Sequence, residues 1–239
     1  MRITRRSMLA AMAAGTLLPG RIVWAQPLGR SAERVIDQIE LARGKETPPV
    51  VTGVAFSPDG SLLATAGDDH RIRLWNPADG AFVRELAAHP DWVRSIRFSP
   101  DGKTLASAGD DRQIKLWQVA TGDLLRTMAQ PEAVVFCLRF NATGDTLAAA
   151  GFEKTLRLFD TATGKVKQEI GGPCADMRTV AFADDGQTMA AAGRNGCIRV
   201  WDSKQGEVLA NRRDAHQRRI RALEFSPDAK LLASGSEDG

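Results

Sequence analysis

The chain has 239 residues, with 32 lysines and arginines, 29 aspartates and glutamates, and a formal net charge of +3. The first 25 residues hold four arginines and no acidic residue. The remaining chain therefore carries 28 basic and 29 acidic residues, a net charge of −1. Bulk charge thus gives no reason to expect a nucleic-acid partner.

Residues 1–25 are interpreted as a bacterial export signal that is cleaved after Ala25. A basic segment (1–6) precedes an apolar, alanine-rich segment (8–18), which is too short to span a membrane. The sequence TRRSML at residues 4–9 resembles the twin-arginine motif, which implies export of the folded protein to the periplasm. An ordinary secretory signal and a buried N-terminal helix are the alternatives.

Residues 26–48 form a predicted linker. Within it, residues 35–41 (VIDQIEL) fit either a strand or a short helix with Ser31 as N-cap and Gly44 as stop.

From residue 49 onward the chain repeats itself with an almost constant period. A turn-forming tetrapeptide recurs at steps of 42, 42, 42 and 43 residues, as SPDG (57–60, 99–102), NATG (141–144), ADDG (183–186) and SPDA (226–229). An aromatic residue recurs every 42 residues at Trp75, Trp117, Phe159 and Trp201. A period of about 40–45 residues predicts an all-β fold, a β-propeller of four-stranded antiparallel blades.

The second repeat illustrates one predicted blade. Residues 92–98 alternate apolar and polar side chains, as expected of a strand buried on one face. Further strands are predicted at 104–108, 113–117 and 124–128, with turns between them.

These repeats resemble the WD-repeat family, whose blades carry a hydrogen-bonded set of histidine, serine or threonine, aspartate and tryptophan. The resemblance implies that blade 2 holds a complete set: His89, Ser107, Asp111 and Trp117. The other blades hold it in part: Thr65, Asp69 and Trp75 in blade 1 with Thr47 for the histidine; Pro131, Ala149, Glu153 and Phe159 in blade 3; Pro173, Ala191, Asn195 and Trp201 in blade 4; His216, Ser234 and Asp238 in blade 5. We therefore expect blades 3 and 4 to be less rigid than blade 2.

Gly239 follows the blade 5 aspartate by one residue, so about four and a half blades are expected in residues 49–239. The sequence is interpreted as part of a longer protein, and the family resemblance implies seven blades in total, with five as the alternative if only a few residues follow. Residues 35–41 would then supply a strand that closes the last blade.

Catalytic and metal-binding motifs are not found in the sequence. It has no G-x-S-x-G, phosphate-binding glycine loop, H-E-x-x-H or C-x-x-C motif, so neither enzyme activity nor a cofactor or metal is expected. Of the three cysteines, Cys137 is predicted to be buried and free. A disulfide between Cys174 and Cys197 could replace the hydrogen bonds that blade 4 lacks, and two buried free thiols are the alternative.

Family members mostly act as rigid platforms for protein partners. By position, the resemblance implies a partner-binding face made of Trp92, Arg94, Asp110, Phe136, Phe152, Arg178, Arg194, Arg219, Arg221 and Glu237. The predicted function is an exported, non-catalytic interaction scaffold. The alternatives are the propeller part of an enzyme whose catalytic domain lies beyond residue 239, and a propeller that binds a small ligand or ion in its central channel.

Overall fold

The computed structural model describes residues 49–128 and 131–239. The predicted export signal (1–25), the predicted linker (26–48) with its segment 35–41, and Thr47 lie outside these residues. The described chain forms five antiparallel sheets, four with four strands and one with two. In each sheet the strands follow one another in chain order. The fold is therefore the all-β, repeated-blade architecture that the sequence predicts.

Each repeat of the sequence forms one sheet. Blade 1 contains β1 (Val51–Phe56), β2 (Leu63–Gly67), β3 (Ile72–Trp75) and β4 (Phe82–Leu86). Blade 2 contains β5 (Val93–Phe98), β6 (Thr104–Gly109), β7 (Ile114–Gln118) and β8 (Leu124–Thr127). Blade 3 contains β9 (Val135–Phe140), β10 (Thr146–Gly151), β11 (Thr155–Asp160) and β12 (Val166–Gly171). Blade 4 contains β13 (Met177–Phe182), β14 (Thr188–Gly193), β15 (Ile198–Asp202) and β16 (Val208–Arg212). Blade 5 contains β17 (Ile220–Phe225) and β18 (Leu232–Ser236).

The first strands of successive blades lie side by side. β5 contacts β1 and β9, and β13 contacts β9 and β17. These first strands line a common cavity, so they are the inner strands of the propeller. The last strands are largely exposed; every residue of β16, for example, faces solvent.

The hydrophobic core lies between the blades. The second strands are its centre, because small side chains such as those of Ala148 and Ala190 are fully buried where neighbouring sheets approach closely. One cluster joins Ile72 and Leu74 of blade 1 to Ile96 of blade 2, and similar clusters join each later pair of blades. Burial between sheets therefore holds successive repeats together.

Blade 1 is the exception to this pattern. Val54 and Phe56 are exposed, although the equivalent Ile96 and Phe98 of blade 2 are buried. In the described residues, this side of blade 1 is an uncovered apolar face.

No segment of the described chain forms a helix with the length and apolarity that a membrane-spanning helix requires.

Candidate functional site

The upper face of the propeller is defined here by the loops that lead into the first strands and the turns that follow the second strands. A backbone hydrogen bond joins these two loops in every blade; in blade 2 the amide of Asp110 donates to the carbonyl of Trp92 over 2.9 Å. Gly109 permits this approach, because a Cβ there would lie 2.0 Å from the same carbonyl oxygen. A Cβ at Gly67, Gly151 or Gly193 would lie similarly close to the carbonyl oxygen of the facing loop. In blades 1 to 4 the repeated glycine thus allows the two loops to approach closely, whereas blade 5 has Ser236 at this position.

A β-bulge lies directly below this bond in all five blades. The strand register skips one residue near the start of each first strand, between Val93 and Ser95 in blade 2 for example. The skipped residues are Thr52, Arg94, Phe136, Arg178 and Arg221. A bulge redirects the side chain of its extra residue, and all five side chains line the mouth of the central cavity.

In blade 2 the bulged arginine is held by two neighbours. Arg94 donates hydrogen bonds from Nε and one Nη to the two carboxylate oxygens of Asp110, the Nε bond measuring 2.7 Å. Its guanidinium also lies 4.6 Å from the centre of the Trp92 ring. The hydrogen bond to Asp110 raises the pKa of Arg94, although partial burial opposes this. The three predicted residues therefore form one preorganised unit.

Blades 3, 4 and 5 share a second set of contacts. The Arg178 guanidinium stacks 3.6 Å from the centre of the Phe136 ring, and its Nε lies 2.5 Å from Asp176 Oδ1. The same carboxylate accepts a hydrogen bond of 3.4 Å from Arg219. Glu237 then links Arg219 to Arg221. Ion pairs thus connect the upper faces of blades 4 and 5.

The remaining predicted face residues are Phe152 and Arg194. Phe152 is 57% exposed and Trp92 is 39% exposed. The amide of Arg194 donates to the carbonyl of Asp176, which is the same loop-to-loop bond that Asp110 and Trp92 form in blade 2. Asp176, the carboxylate that two of the predicted arginines share, was not predicted from the sequence. The repeat could have indicated it, since Asp176 lies two periods of 42 residues after Trp92.

The predicted hydrogen-bonded set is complete in blade 2. His89 lies 2.7 Å from both Asp111 and Ser107, through Nδ1 and Nε2 respectively. The Trp117 indole donates to the Ser107 hydroxyl over 2.8 Å. Burial raises the pKa of Asp111, but the hydrogen bond and charge interaction with His89, the Gln113 amide and the charge of Lys115 together lower the pKa below its usual value.

Blades 1 and 5 hold parts of the same arrangement. In blade 1 the Trp75 indole donates to Thr65 over 2.9 Å. In blade 5, His216 lies 2.9 Å from Asp238 and 2.7 Å from Ser234. The backbone amide of Gln217 also donates to Asp238 and lowers the pKa of this carboxyl to about 2.

Basic residues of the third strands, which were not predicted from the sequence, make further polar contacts in blades 1 to 4. They share one position at a spacing of 42 residues: Arg73, Lys115, Arg157 and Arg199. Arg73 pairs with Asp69 over 2.6 Å. Arg157 binds both Glu153 and Glu169, and these bonds raise its pKa against the effect of burial. The basic side chains thus supply partners where the histidine is missing.

Blade 4 keeps the least of the set. The Asn195 side chain donates to the Pro173 carbonyl over 3.0 Å, so the histidine and aspartate positions still touch. Arg199 donates to the carbonyls of Gly171 and Gly172. The fully buried Trp201 has an indole N–H without a partner, because Ala191 has no hydroxyl to accept it.

The cysteine predictions are corrected in blade 4. Cys174 and Cys197 are free and only partly buried, so they are neither a disulfide nor a pair of buried thiols. The Cys197 thiol donates to the Arg213 carbonyl over 2.9 Å, and the Cys174 thiol to the Asp176 carbonyl over 3.4 Å. Each thiol therefore already has a backbone partner of its own. Cys137 is buried and free, as predicted.

The central cavity has a volume of about 550 Å³ and lies between the inner strands. Arg94, Arg178 and Arg221 line its mouth, and Arg97, Arg139 and Glu224 also contribute to its wall. In residues 49–128 and 131–239, no cluster of three or more histidine, cysteine or acidic side chains could hold a metal ion.

Several known proteins resemble parts of the chain. A 42-residue stretch is 50% identical to a probable serine/threonine-protein kinase, PkwA, of Thermomonospora curvata, covering 18% of this chain and 6% of the kinase. A 79-residue stretch is 37% identical to the mouse WD repeat and SOCS box-containing protein 1, covering 32% of this chain and 17% of that protein. The chain therefore spans only a small part of the length of either relative.

A family model described as the IFT122 first beta-propeller matches residues 50–239, which include all five blades. The propeller fold that this description names agrees with the repeated four-stranded sheets. The chain therefore belongs to the WD-repeat β-propeller family, in the group described as the IFT122 first β-propeller.

Proposed function

We propose that the protein is an exported, non-catalytic scaffold that binds a protein partner through its upper face. The observation that carries this proposal is the set of bulged residues that line the central cavity, among which are three arginines and one phenylalanine. WD-repeat propellers generally serve as interaction scaffolds, which favours this class of function.

The side chains of the upper face suit a protein interface. Trp92 and Phe152 offer exposed aromatic surface, and Arg94, Arg178 and Arg221 offer guanidinium groups. Tryptophan and arginine are enriched among the residues that contribute most to binding. Since Asp110 and Trp92 already hold Arg94 in place, its side chain loses little conformational freedom when a partner binds.

The proposal is tested by affinity capture from periplasmic extract with the full chain as bait. Trp92→Ser combined with Phe152→Ser removes both exposed aromatics of the upper face. Leu125→Ser combined with Leu209→Ser is the matched control, because it removes two exposed apolar residues of outer strands. We expect the control to retain the partners of the wild type and the upper-face variant to lose them. Equal loss in both variants would contradict a specific upper-face interface.

An enzyme containing this propeller is the second candidate function. The similarity to a probable protein kinase favours it, although the chain covers only 6% of that protein. The gene sequence after residue 239 distinguishes the two candidates. Further blades and a stop codon support the scaffold, whereas a catalytic domain supports the enzyme.

Export through the twin-arginine route is proposed from residues 4–9, which lie outside the described residues. Replacing Arg5 and Arg6 together by lysine should leave unprocessed precursor in the cytoplasm, because lysine does not reproduce the planar guanidinium. Arg2→Lys is the control and should be exported normally. Cell fractionation measures both, and unchanged export of the double variant would favour the ordinary secretory route.

A further inference from the structure

Two arginines lie in the wall of the central cavity below the bulged residues. Arg97 of β5 and Arg139 of β9 occupy equivalent positions, 42 residues apart, on neighbouring inner strands. The equivalent residues of blades 1 and 4 are Ala55 and Ala181, so these two blades place no charged side chain at this level.

Positive charge at this level exceeds negative charge. The upper arginines of the cavity, Arg94, Arg178 and Arg221, each have a carboxylate partner on the upper face. Among the described residues that line the cavity, Glu224 is the one carboxylate, and it pairs with Arg139. Arg97 donates from one Nη to the backbone carbonyl of Ile96 over 2.8 Å and has no ion pair in the described chain.

The guanidinium groups also have donors that the protein leaves unused. The Nε atoms of Arg97 and Arg139 are both buried and lack a hydrogen-bond partner. Burial is the main cause that lowers the pKa of Arg97. The charge of Arg139 also lowers it, whereas the interactions with Cys137 and Glu224 raise it. Arginine nevertheless stays protonated in proteins. A buried charge of this kind favours a bound counter-ion.

We propose that Arg97 and Arg139 bind a tetrahedral oxyanion, such as a phosphate group, in the central cavity. Two guanidinium groups offer the planar, paired donors that phosphate oxygens accept. The cavity of about 550 Å³ has room for such a group together with its remaining water. This site lies below the upper face and does not depend on a protein partner.

Titration calorimetry of the full chain with inorganic phosphate tests the proposal, with chloride keeping the ionic strength constant. We expect saturable binding to the wild type and affinity about tenfold or more lower in Arg97→Gln. Arg126→Gln, on the outer strand of blade 2, is the control and should bind like the wild type. Equal binding by wild type and Arg97→Gln, or no saturable binding, would overturn the proposal.

Glu224→Gln gives an independent test that remains valid if Arg97→Gln does not fold. This variant removes the carboxylate that competes for Arg139, so phosphate should bind several-fold more tightly. Unchanged or weaker binding would overturn the proposal.

The choice of anion tests the chemical class and the source of the ligand. Tighter binding of O-phosphoserine than of inorganic phosphate would support the site and indicate that its ligand is a phosphate ester. Tighter binding of inorganic phosphate would also support the site and indicate that its ligand is the free ion. Acetate binding as tightly as phosphate would overturn the assignment to a tetrahedral oxyanion, because a carboxylate would then satisfy the site.

Discussion

Blades 2 and 4 have the same strands but hold their upper ends together differently. In blade 2, His89 joins Asp111 to Ser107, and Ser107 accepts the Trp117 indole. In blade 4, one Asn195 side-chain bond remains across the blade and the indole of Trp201 has no partner. Both tryptophans are nevertheless buried, and Met189 and Ala191 pack against Trp201. Apolar packing between the blades therefore carries the fold, and the polar set adds stability to individual blades.

The first prediction tests how much the complete hydrogen-bonded set of blade 2 contributes to stability. Asp111→Ala should lower the free energy of unfolding by about 2–3 kcal/mol, because His89 and the Gln113 amide lose a buried acceptor. Glu153→Ala in blade 3 should cost much less, about 1 kcal/mol, since Arg157 keeps Glu169. Urea unfolding of both variants measures the difference. Equal losses of unfolding free energy in the two variants would show that the complete set of blade 2 contributes no more than the ion pair of blade 3.

The second prediction compares apolar packing in blades 1 and 4. Val54 and Val180 are equivalent by the repeat, but the first is 52% exposed and the second is fully buried. Val180→Ala should cost about 2 kcal/mol, because it leaves a cavity between blades. Val54→Ala should change the free energy of unfolding by less than about 0.5 kcal/mol. A large loss from Val54→Ala would show that this face is covered in solution.

The third prediction restores one bond in blade 4. Ala191→Ser places a hydroxyl opposite the unpaired Trp201 indole, at the position that Ser107 holds in blade 2. We expect stabilisation of about 1 kcal/mol, the usual net value of such a hydrogen bond. Ala149→Ser in blade 3 is the control. Phe159 has no indole N–H to donate to the new hydroxyl, so this substitution should not raise the stability. Thermal unfolding measures both, and a destabilised Ala191→Ser protein would contradict the prediction.

The smallest expected effect is the pH dependence that Asp111 contributes. Folding lowers its pKa, so its stabilising effect is complete above the usual value of 3.8 and is lost as the pH falls through the lower folded-state pKa. Unfolding free energies measured between about pH 5 and pH 2 should therefore fall less steeply in Asp111→Asn than in the wild type. Several exposed aspartates also titrate in this range, so only the difference between the two proteins is informative. Identical slopes would show that Asp111 does not contribute.

The sequence by itself determined the fold and the hydrogen-bonded set of blade 2. A period of 42 residues set by turns and tryptophans specifies where each sheet begins, and the observed strands of blade 2 agree with the predicted ones within one or two residues. The partners of His89 and Trp117 followed from the family pattern, because equivalent positions of a repeat meet in the same way.

The tertiary structure alone decided how individual side chains are paired. Asp176 is shared by two arginines, and Arg157 has two carboxylate partners. Arg139 of blade 3 pairs with Glu224 of blade 5, two blades away. Cys174 and Cys197 donate to backbone carbonyls and form no disulfide. A repeat specifies backbone positions, whereas these contacts depend on the length and direction of side chains from different strands, which only the assembled blades bring together.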